Sequence, residues 1–369
     1  MLAAFLVLAG ATGSILAFHH EIDAALTPEW HNLDPQPRRA SLDAIAARIE
    51  ARDRDRVVGY FVWAANPSAA LRAVMNTRAA AEAGRLDREA ALQNEVYADP
   101  YSGRLLGERN WGEIGASRAH LVPMVYRLHM SLFMGSAGQW ILGIVAAAWI
   151  AMLLAGLVLA VPRLALLRQG LAVKWHAGRA RLLFDLHRSF GLAGALVLVV
   201  IAFTGLYMNL PSVMEPALAA VAPFTERPPS VREAGAPRER VWRAGWDEAL
   251  AAARRVEPDL PVAVMGRVES RGYYQVRFLK PGDIMDAGTL RIFVDGRDAS
   301  VLGSFDDRAG TVGDQVRIWQ FPLHSGQGFG MTGRVLVCVA GTLPPLLAVT
   351  GLWLWLRRRR RRREIALAH

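Results

Sequence analysis

Two histidines occupy matching places about half a chain apart. Tyr126-Arg127-Leu128-His129-Met130-Ser131 puts a Leu-His a few residues before a long apolar run that ends at Arg163. Phe321-Pro322-Leu323-His324-Ser325-Gly326 does the same before a run that ends at Arg357. A neutral imidazole is a common metal ligand. The plainer reading is a pair of interfacial histidines bonded to backbone carbonyls. Three further histidines flank apolar runs: His187 opens one, and His19 and His20 close another. Neighbouring residues on a helix point about 100° apart, so only one of His19 and His20 can face a helix bundle. Met130, Met134 and Met208 are thioether alternatives, although methionine at a helix entrance usually packs. His31 and His120 carry no comparable signal, and His176 lies between apolar runs.

The elements that position these residues are hydrophobic helices. Met1 to Phe18, Gln139 to Val161, Phe190 to Pro211 and Val335 to Leu356 are nearly free of charge. Each approaches or exceeds the roughly 20 residues that cross a bilayer. The first has no basic residues ahead of it and no small-residue cleavage motif before His19, so it reads as a spanning helix rather than a signal peptide. The net charge is +10. Arg163, Arg168, Lys174, Arg179 and Arg181 lie between the second and third runs, and Arg357 to Arg363 follow the fourth. With four spans both clusters fall on one face, which the positive-inside rule makes cytoplasmic together with both termini. The arginine block then locks topology and contacts anionic membrane lipid; no nucleic-acid partner is expected.

The polar segments, about 19 to 125 and 212 to 330, face the other side and share an order of elements. In the first, Ser41 caps a helix to Ala51, on which Leu42, Ile45 and Ile49 recur at helical spacing. Val57 to Ala64 and Ala69 to Met75 read as strands around Asn66-Pro67-Ser68. Glu95 to Ala98 and Arg104 to Leu106 read as a hairpin around Asp99-Pro100-Tyr101-Ser102-Gly103. Residues 76 to 93 read as helical. In the second segment Trp246 to Arg255 is the helix, Val262 to Val268, Tyr273 to Phe278 and Thr289 to Val294 are strands, and the last leads through Asp295 to Ala299 into Ser300 to Gly303. Tyr97 to Gly107 aligns with Phe293 to Gly303, and LAAFLVLAGATG (Leu2 to Gly13) aligns with GALVLVVIAFTG (Gly194 to Gly205). The chain is two parallel pseudo-repeats of helix, α+β domain and helix, with a pseudo-twofold axis along the membrane normal. The divisions are 1–20 (first membrane helix), 21–125 (first domain), 126–162 (second helix with its outer entrance) and 163–184 (basic loop). They continue as 185–211 (third helix), 212–320 (second domain), 321–356 (fourth helix with its outer entrance) and 357–369 (arginine-rich tail). The shift that aligns the repeats carries His187 to a place before Met1, so the first helix is expected to start upstream.

These features, His187-Arg188-Ser189-Phe190-Gly191 with Thr204-Gly205, the Leu-His entrances at His129 and His324, and the turn Asp99 to Gly103, resemble the PepSY-associated transmembrane helix family of bacterial inner-membrane proteins. Within it the chain looks most like the haem-containing, ferrioxamine-type ferric-siderophore reductases. The resemblance implies a multi-pass α-helical inner-membrane protein with four principal spans, two periplasmic PepSY-like α+β domains and one or two haem b groups. It also implies a periplasmic ferric siderophore as substrate and a quinol or a cytoplasmic reductase as electron donor. The family reading makes His129, His324 and His187 axial ligands of haem iron, with His19 and His20 as further cofactor-binding candidates. His129 and His324 are related by the repeat, so a pseudo-twofold would bring them toward one iron.

Other chemistries find no support in the sequence. No Cys-x-x-Cys-His is present, and the single cysteine, Cys338, lies inside the fourth run, which excludes an intramolecular disulfide and covalent haem attachment by that motif. There is no His-Glu-x-x-His, Gly-x-Ser-x-Gly or Walker loop. Gly326-Gln327-Gly328-Phe329-Gly330 follows no strand of a βαβ unit; it reads as backbone that turns the chain into the membrane or approaches a cofactor. Two other functions stay open: a permease for iron chelates or peptides, and a non-catalytic periplasmic binding or regulatory module. The scarcity of charge within the runs argues against coupled transport.

Overall fold

A computed structural model of the chain describes residues 2–82, 94–160, 164–225, 242–269 and 271–367. The chain divides into two units. Unit 1 comprises Met1–His19, Val125–Pro216 and Gln320–His369; unit 2 comprises His20–Met124 and Ala217–Trp319.

Unit 1 is built from α1 (Leu2–Leu16), α6 (Gly135–Ala160), α8 (Arg179–Asn209) and α12 (Gly330–Leu367). The apolar stretches of α6, α8 and α12 are long enough to cross a membrane. The first run becomes a fourth candidate only when α1 is joined, across a bend, to α2 (His19–Leu26). Helix α1 packs on α12, α6 on α8, and α8 on α12. Small residues set these crossings, as is usual where packing rather than hydrophobic burial drives association. A Cβ on Gly10 would stand 2.4 Å from the Gly341 carbonyl oxygen, and one on Gly194 would stand 2.4 Å from Leu343. The Ser14 hydroxyl donates to the Cys338 carbonyl at 2.8 Å, adding a polar link between α1 and α12.

Two short helices lead into the long ones: α5 (Arg118–Ser131) before α6, and α11 (Val312–Ser325) before α12. The corners between them are equivalent. Gly326 and Gly330 carry positive φ (78° and 59°), as do Leu132, Phe133 and Gly135 in the first copy (53°, 59° and 57°). The corner carbonyl lies against the following helix, where a Cβ on Gly138 would sit 1.7 Å from the Ser131 oxygen and one on Gly333 would sit 2.2 Å from the Gly326 oxygen. The glycine-rich Gly326 to Gly330 stretch therefore turns the chain into α12. Between α6 and α8, α7 (Leu167–Leu171) is held by Arg188, which donates to the carbonyls of Gln169, Gly170 and Ala172. After α8 comes α9 (Pro211–Ala219).

Unit 2 corrects the expectation of two separate α+β domains: their strands form one antiparallel sheet of eight, in the order β4-β3-β2-β1-β5-β6-β7-β8. The first half supplies β1 (Arg56–Val62), β2 (Leu71–Thr77), β3 (Asn94–Ala98) and β4 (Leu105–Asn110). The second supplies β5 (Val262–Val268), β6 (Tyr273–Phe278), β7 (Leu290–Asp295) and β8 (Val301–Asp306). The halves join where Tyr60, Phe61 and Val62 of β1 pair with Gly266, Met265 and Val264 of β5. An isolated half would leave that edge open, and pairing the two edges removes both. Of the stretch expected to be helical over 76 to 93, Asn76 and Thr77 belong to β2, Arg78–Glu82 is α4, and 83–93 lie outside the described residues.

One face of the sheet is covered by α3 (Leu42–Glu50) and α10 (Trp246–Val256), which share a core with Phe61, Met265, Val276 and Ile292. The two helix N-termini cap each other. Asp43 accepts from the amides of Trp246 and Asp247 at 2.8 and 3.0 Å, and Asp247 accepts from those of Leu42 and Asp43 at 3.0 and 3.2 Å. The aligned turns also match: the Gly103 amide donates to the Asp99 carbonyl at 2.9 Å, and the Ala299 amide to the Asp295 carbonyl at 3.1 Å.

Candidate cofactor site in the helical unit

His129 and His324 face each other inside unit 1. Their ring centroids are 6.1 Å apart and their planes are tilted by 55°. Each is carried by the last turn of a lead-in helix, α5 or α11, just ahead of the glycine corner. Both line an apolar cavity whose walls include Leu6 and Gly10 of α1, Leu142 of α6, Leu198 of α8 and Ala340 of α12. Polar groups on the lining are few, among them Tyr126, Gln139 and Asn209.

Each imidazole is held by the first helix of a repeat. His129 Nδ1 lies 2.8 Å from Thr12 Oγ1 on α1, and His324 Nδ1 lies 3.0 Å from Thr204 Oγ1 on α8. The next residue is glycine in both cases, and its bare backbone receives the ring: a Cβ on Gly13 would come 3.2 Å from His129 Cε1, and one on Gly205 would come 3.2 Å from His324 Cε1. The Thr-Gly pairs visible as a sequence repeat are therefore the seats of the two histidines.

His187 has the same surroundings. Its Nδ1 lies 2.8 Å from Thr350 Oγ1, and a Cβ on Gly351 would approach its Cε1 to 3.1 Å. This third Thr-Gly seat is on α12. The shift that carries His324 onto His129 carries Thr350-Gly351 onto Ala155-Gly156, so the corresponding place on α6 keeps the glycine without the hydroxyl. Sequence reasoning missed the third seat; the signal that could have found it is a third Thr-Gly in an apolar run.

His19 also lines the cavity; its Nδ1 is 2.8 Å from the Leu16 carbonyl, and its ring lies edge-on to Tyr126 at 5.8 Å. His20 is not on that lining; it belongs to unit 2, where its Nε2 is 3.4 Å from Asp286 and its side chain is 60% exposed. Of the adjacent pair, one faces the bundle, as helix geometry requires. Met130 and Met208 line the cavity beside the histidines, whereas Met134 is exposed.

Unit 2 has a second concentration of buried polar chemistry. Arg109, 4% exposed, donates to Glu95 at 2.9 Å and to both oxygens of Asp23 at 2.8 and 3.1 Å, and its guanidinium lies over the rings of Trp30 and Tyr97. Burial raises the Glu95 carboxyl, but Arg72 and Arg109 outweigh it and hold the group below the ordinary carboxylate range. In the other half Asp307 is bonded to Arg291 at 2.6 Å, with Arg277 at 3.8 Å. Burial, reinforced by Arg291, lowers Arg277 to about 10. Every cation here has a carboxylate partner, so both clusters read as buried cross-strand ties.

The two parts define a class of protein: a membrane protein whose long apolar helices accompany an antiparallel β-sheet unit. The chain matches the family described as PepSY-associated TM region over residues 1–358, and it belongs to that family. A search of curated proteins finds no match.

Proposed function

We propose that this protein is a bacterial inner-membrane b-type haem protein that delivers single electrons to a ferric siderophore in the periplasm. Fe(III) would accept one electron and become Fe(II). Siderophore oxygens are hard ligands that hold Fe(II) far more weakly, so reduction lets the metal go. The electron would come from a quinol or from a cytoplasmic reductase.

The observation that carries this reading is the His129–His324 pair. Two imidazoles on opposite sides of one metal place their ring centres about 6 Å apart, given roughly 2 Å for each metal–nitrogen bond and about 1 Å from nitrogen to ring centre. The pair stands at 6.1 Å, with Nδ1 of each ring engaged by a threonine, which leaves Nε2 for a ligand. Among the described residues no group of three or more His, Cys, Asp and Glu converges on a point. A porphyrin iron needs few protein ligands, which His129 and His324 would supply, and the apolar walls would suit the macrocycle. When bound, the haem iron supplies the one-electron Fe(III)/Fe(II) step. The protein's own contributions would be to hold the group with His129 and His324, to keep water out with apolar walls, and to spare the rings a Cβ at Gly13 and Gly205. His187, in its own Thr-Gly seat, would serve a second haem, and His19 would border the first.

In this reading the run 1–20 that holds α1, together with α6, α8 and α12, gives four spans. The basic loop and arginine tail lie in the cytoplasm with both termini, and unit 2 lies in the periplasm. The test is a reduced-minus-oxidised absorption spectrum of the purified protein with a haem-to-protein ratio. A b-type α-band that is lost in the His129→Ala, His324→Ala double variant supports the reading. A wild-type protein without haem, purified from haem-replete cells, overturns it in favour of a permease or a binding module.

A further inference from the structure

The three histidine seats share more than a contact. Thr12 Oγ1 bonds the Leu8 carbonyl at 2.7 Å, Thr204 Oγ1 the Val200 carbonyl at 2.8 Å, and Thr350 Oγ1 the Leu346 carbonyl at 2.7 Å. A hydroxyl has one hydrogen, and a carbonyl oxygen accepts only, so each threonine spends its hydrogen on its own helix. Towards the imidazole the hydroxyl then has only lone pairs to offer. The ring nitrogen that meets it must carry the proton. His324 supports this independently: its Nδ1 also lies 3.1 Å from the Ile201 carbonyl, which can only accept.

We infer that Thr12, Thr204 and Thr350 are positioning residues that fix His129, His324 and His187 as the Nδ1–H tautomer, so that Nε2 presents its lone pair to a metal. The following glycine completes the device, because the ring edge at Cε1 rests where a Cβ would crowd it, at 3.2, 3.2 and 3.1 Å for Gly13, Gly205 and Gly351. For Thr12 and Thr204 the inference deepens the haem reading and rests on it for its redox consequence. A hydrogen bond from Nδ1–H raises the donor strength of Nε2, and loss of such outer partners typically weakens metal binding about 10- to 100-fold. Stronger donation favours the oxidised iron, so the threonines hold the potential down.

The experiment compares Thr12→Val, Thr204→Val and Thr350→Val with the corresponding Thr→Ser variants in the full-length protein. Thr342→Val is the control, since Thr342 Oγ1 bonds the Val339 carbonyl at 2.7 Å from an exposed position on the same α12. Two readouts are taken: a redox titration with haem retention, and ¹⁵N spectra of the labelled histidines in haem-free protein. The inference predicts protonated Nδ1 and bare Nε2 on all three rings, disturbed at His129 in Thr12→Val and at His187 in Thr350→Val, and less so at His324 in Thr204→Val, where the Ile201 carbonyl still accepts from Nδ1. It also predicts a positive shift of the midpoint potential and about 10-fold faster haem loss in Thr12→Val and Thr204→Val. Serine restores both, and the control changes neither. Haem that binds with unchanged potential, retention and tautomer in the valine variants overturns the inference and leaves the haem reading standing. A wild type that takes up no haem, yet shows the Nδ1–H tautomer and its loss in the valine variants, sinks the haem reading and upholds the inference. A proton on Nε2 overturns the inference whether or not haem is present.

Discussion

His129, His324 and His187 each meet a hydroxyl at Nδ1 and a glycine at the ring edge, and the two contacts fail differently. Removing the hydroxyl leaves the ring in place with a weaker donor, whereas filling the glycine moves the ring. Gly205→Val would put branched bulk where even a single added Cβ would stand 3.2 Å from His324 Cε1. That variant is expected to lose cofactor more completely than Thr204→Val, read as haem per protein after gel filtration. Arg109 in unit 2 is the other residue whose removal is costly. It is 4% exposed and joins Glu95, Asp23 and two aromatic faces. Arg109→Ala strands buried carboxylates and should destabilise unit 2 by about 3–5 kcal/mol, measured as thermal unfolding followed by tryptophan fluorescence. Glu95 is held below the ordinary carboxylate range despite burial, so its contribution is full above the unfolded pKa and is lost as pH falls through the depressed one. Unit 2 should therefore weaken on acidification, and the Arg109→Ala variant should show a flatter dependence.

Helices α3 and α10 begin nose to nose, which their dipoles oppose. Asp43 and Asp247 resolve this by accepting from each other's first-turn amides. Burial works against the Asp247 charge, but the Ser41 hydroxyl and the amides of Leu42 and Asp43 outweigh it and keep the carboxyl low. Asp247→Ala is expected to cost about 1–2 kcal/mol, in the range of a lost N-cap, with Asp247→Asn intermediate because its oxygen still accepts. A denaturant titration checks the order. A carboxylate held low contributes in full above the unfolded pKa and loses its contribution as pH falls through the folded one, so the wild type and Asp247→Ala should converge in stability in acid. The corners after α5 and α11 follow the same logic of close approach: Gly138→Ala and Gly333→Ala push a Cβ into a carbonyl and should tilt the helix that bears the histidine.

The repeat makes the protein in two ways. In unit 1 it supplies two equivalent seats that bring His129 and His324 together. In unit 2 it supplies two half-sheets whose open edges, β1 and β5, close on each other. A substitution at the seam tests that closure: a Cβ at Gly266 would stand 3.0 Å from the Tyr60 Cβ, so Gly266→Val should part the halves. Limited proteolysis should then cut unit 2 faster than in the wild type. The proposed orientation has its own check. A cysteine introduced at Asp298, in an exposed turn of unit 2, should react with a membrane-impermeant thiol reagent added to spheroplasts, and one at Arg360 only after lysis. The reverse pattern would invert the topology.

Much of this was legible in the chain. Alternation and turn residues placed β5 and β6 at the residues where they stand, and Ser41 marked the start of α3 because a cap is a local interaction. Hydropathy marked the apolar helices, since crossing a bilayer is a matter of length and composition. The repeat paired His129 with His324, because matching sequence in parallel copies implies matching places. What the sequence withheld are relations between segments far apart in the chain: the β1–β5 seam, the crossed caps of Asp43 and Asp247, and the union of each histidine with a Thr-Gly. Thr12 is more than a hundred residues from His129, and nothing in either neighbourhood names the other. Which helix faces which, and at what rotation, is decided by small-residue packing over whole surfaces such as Gly10 on Gly341. Only that packing turns three ordinary threonines into partners of three imidazoles.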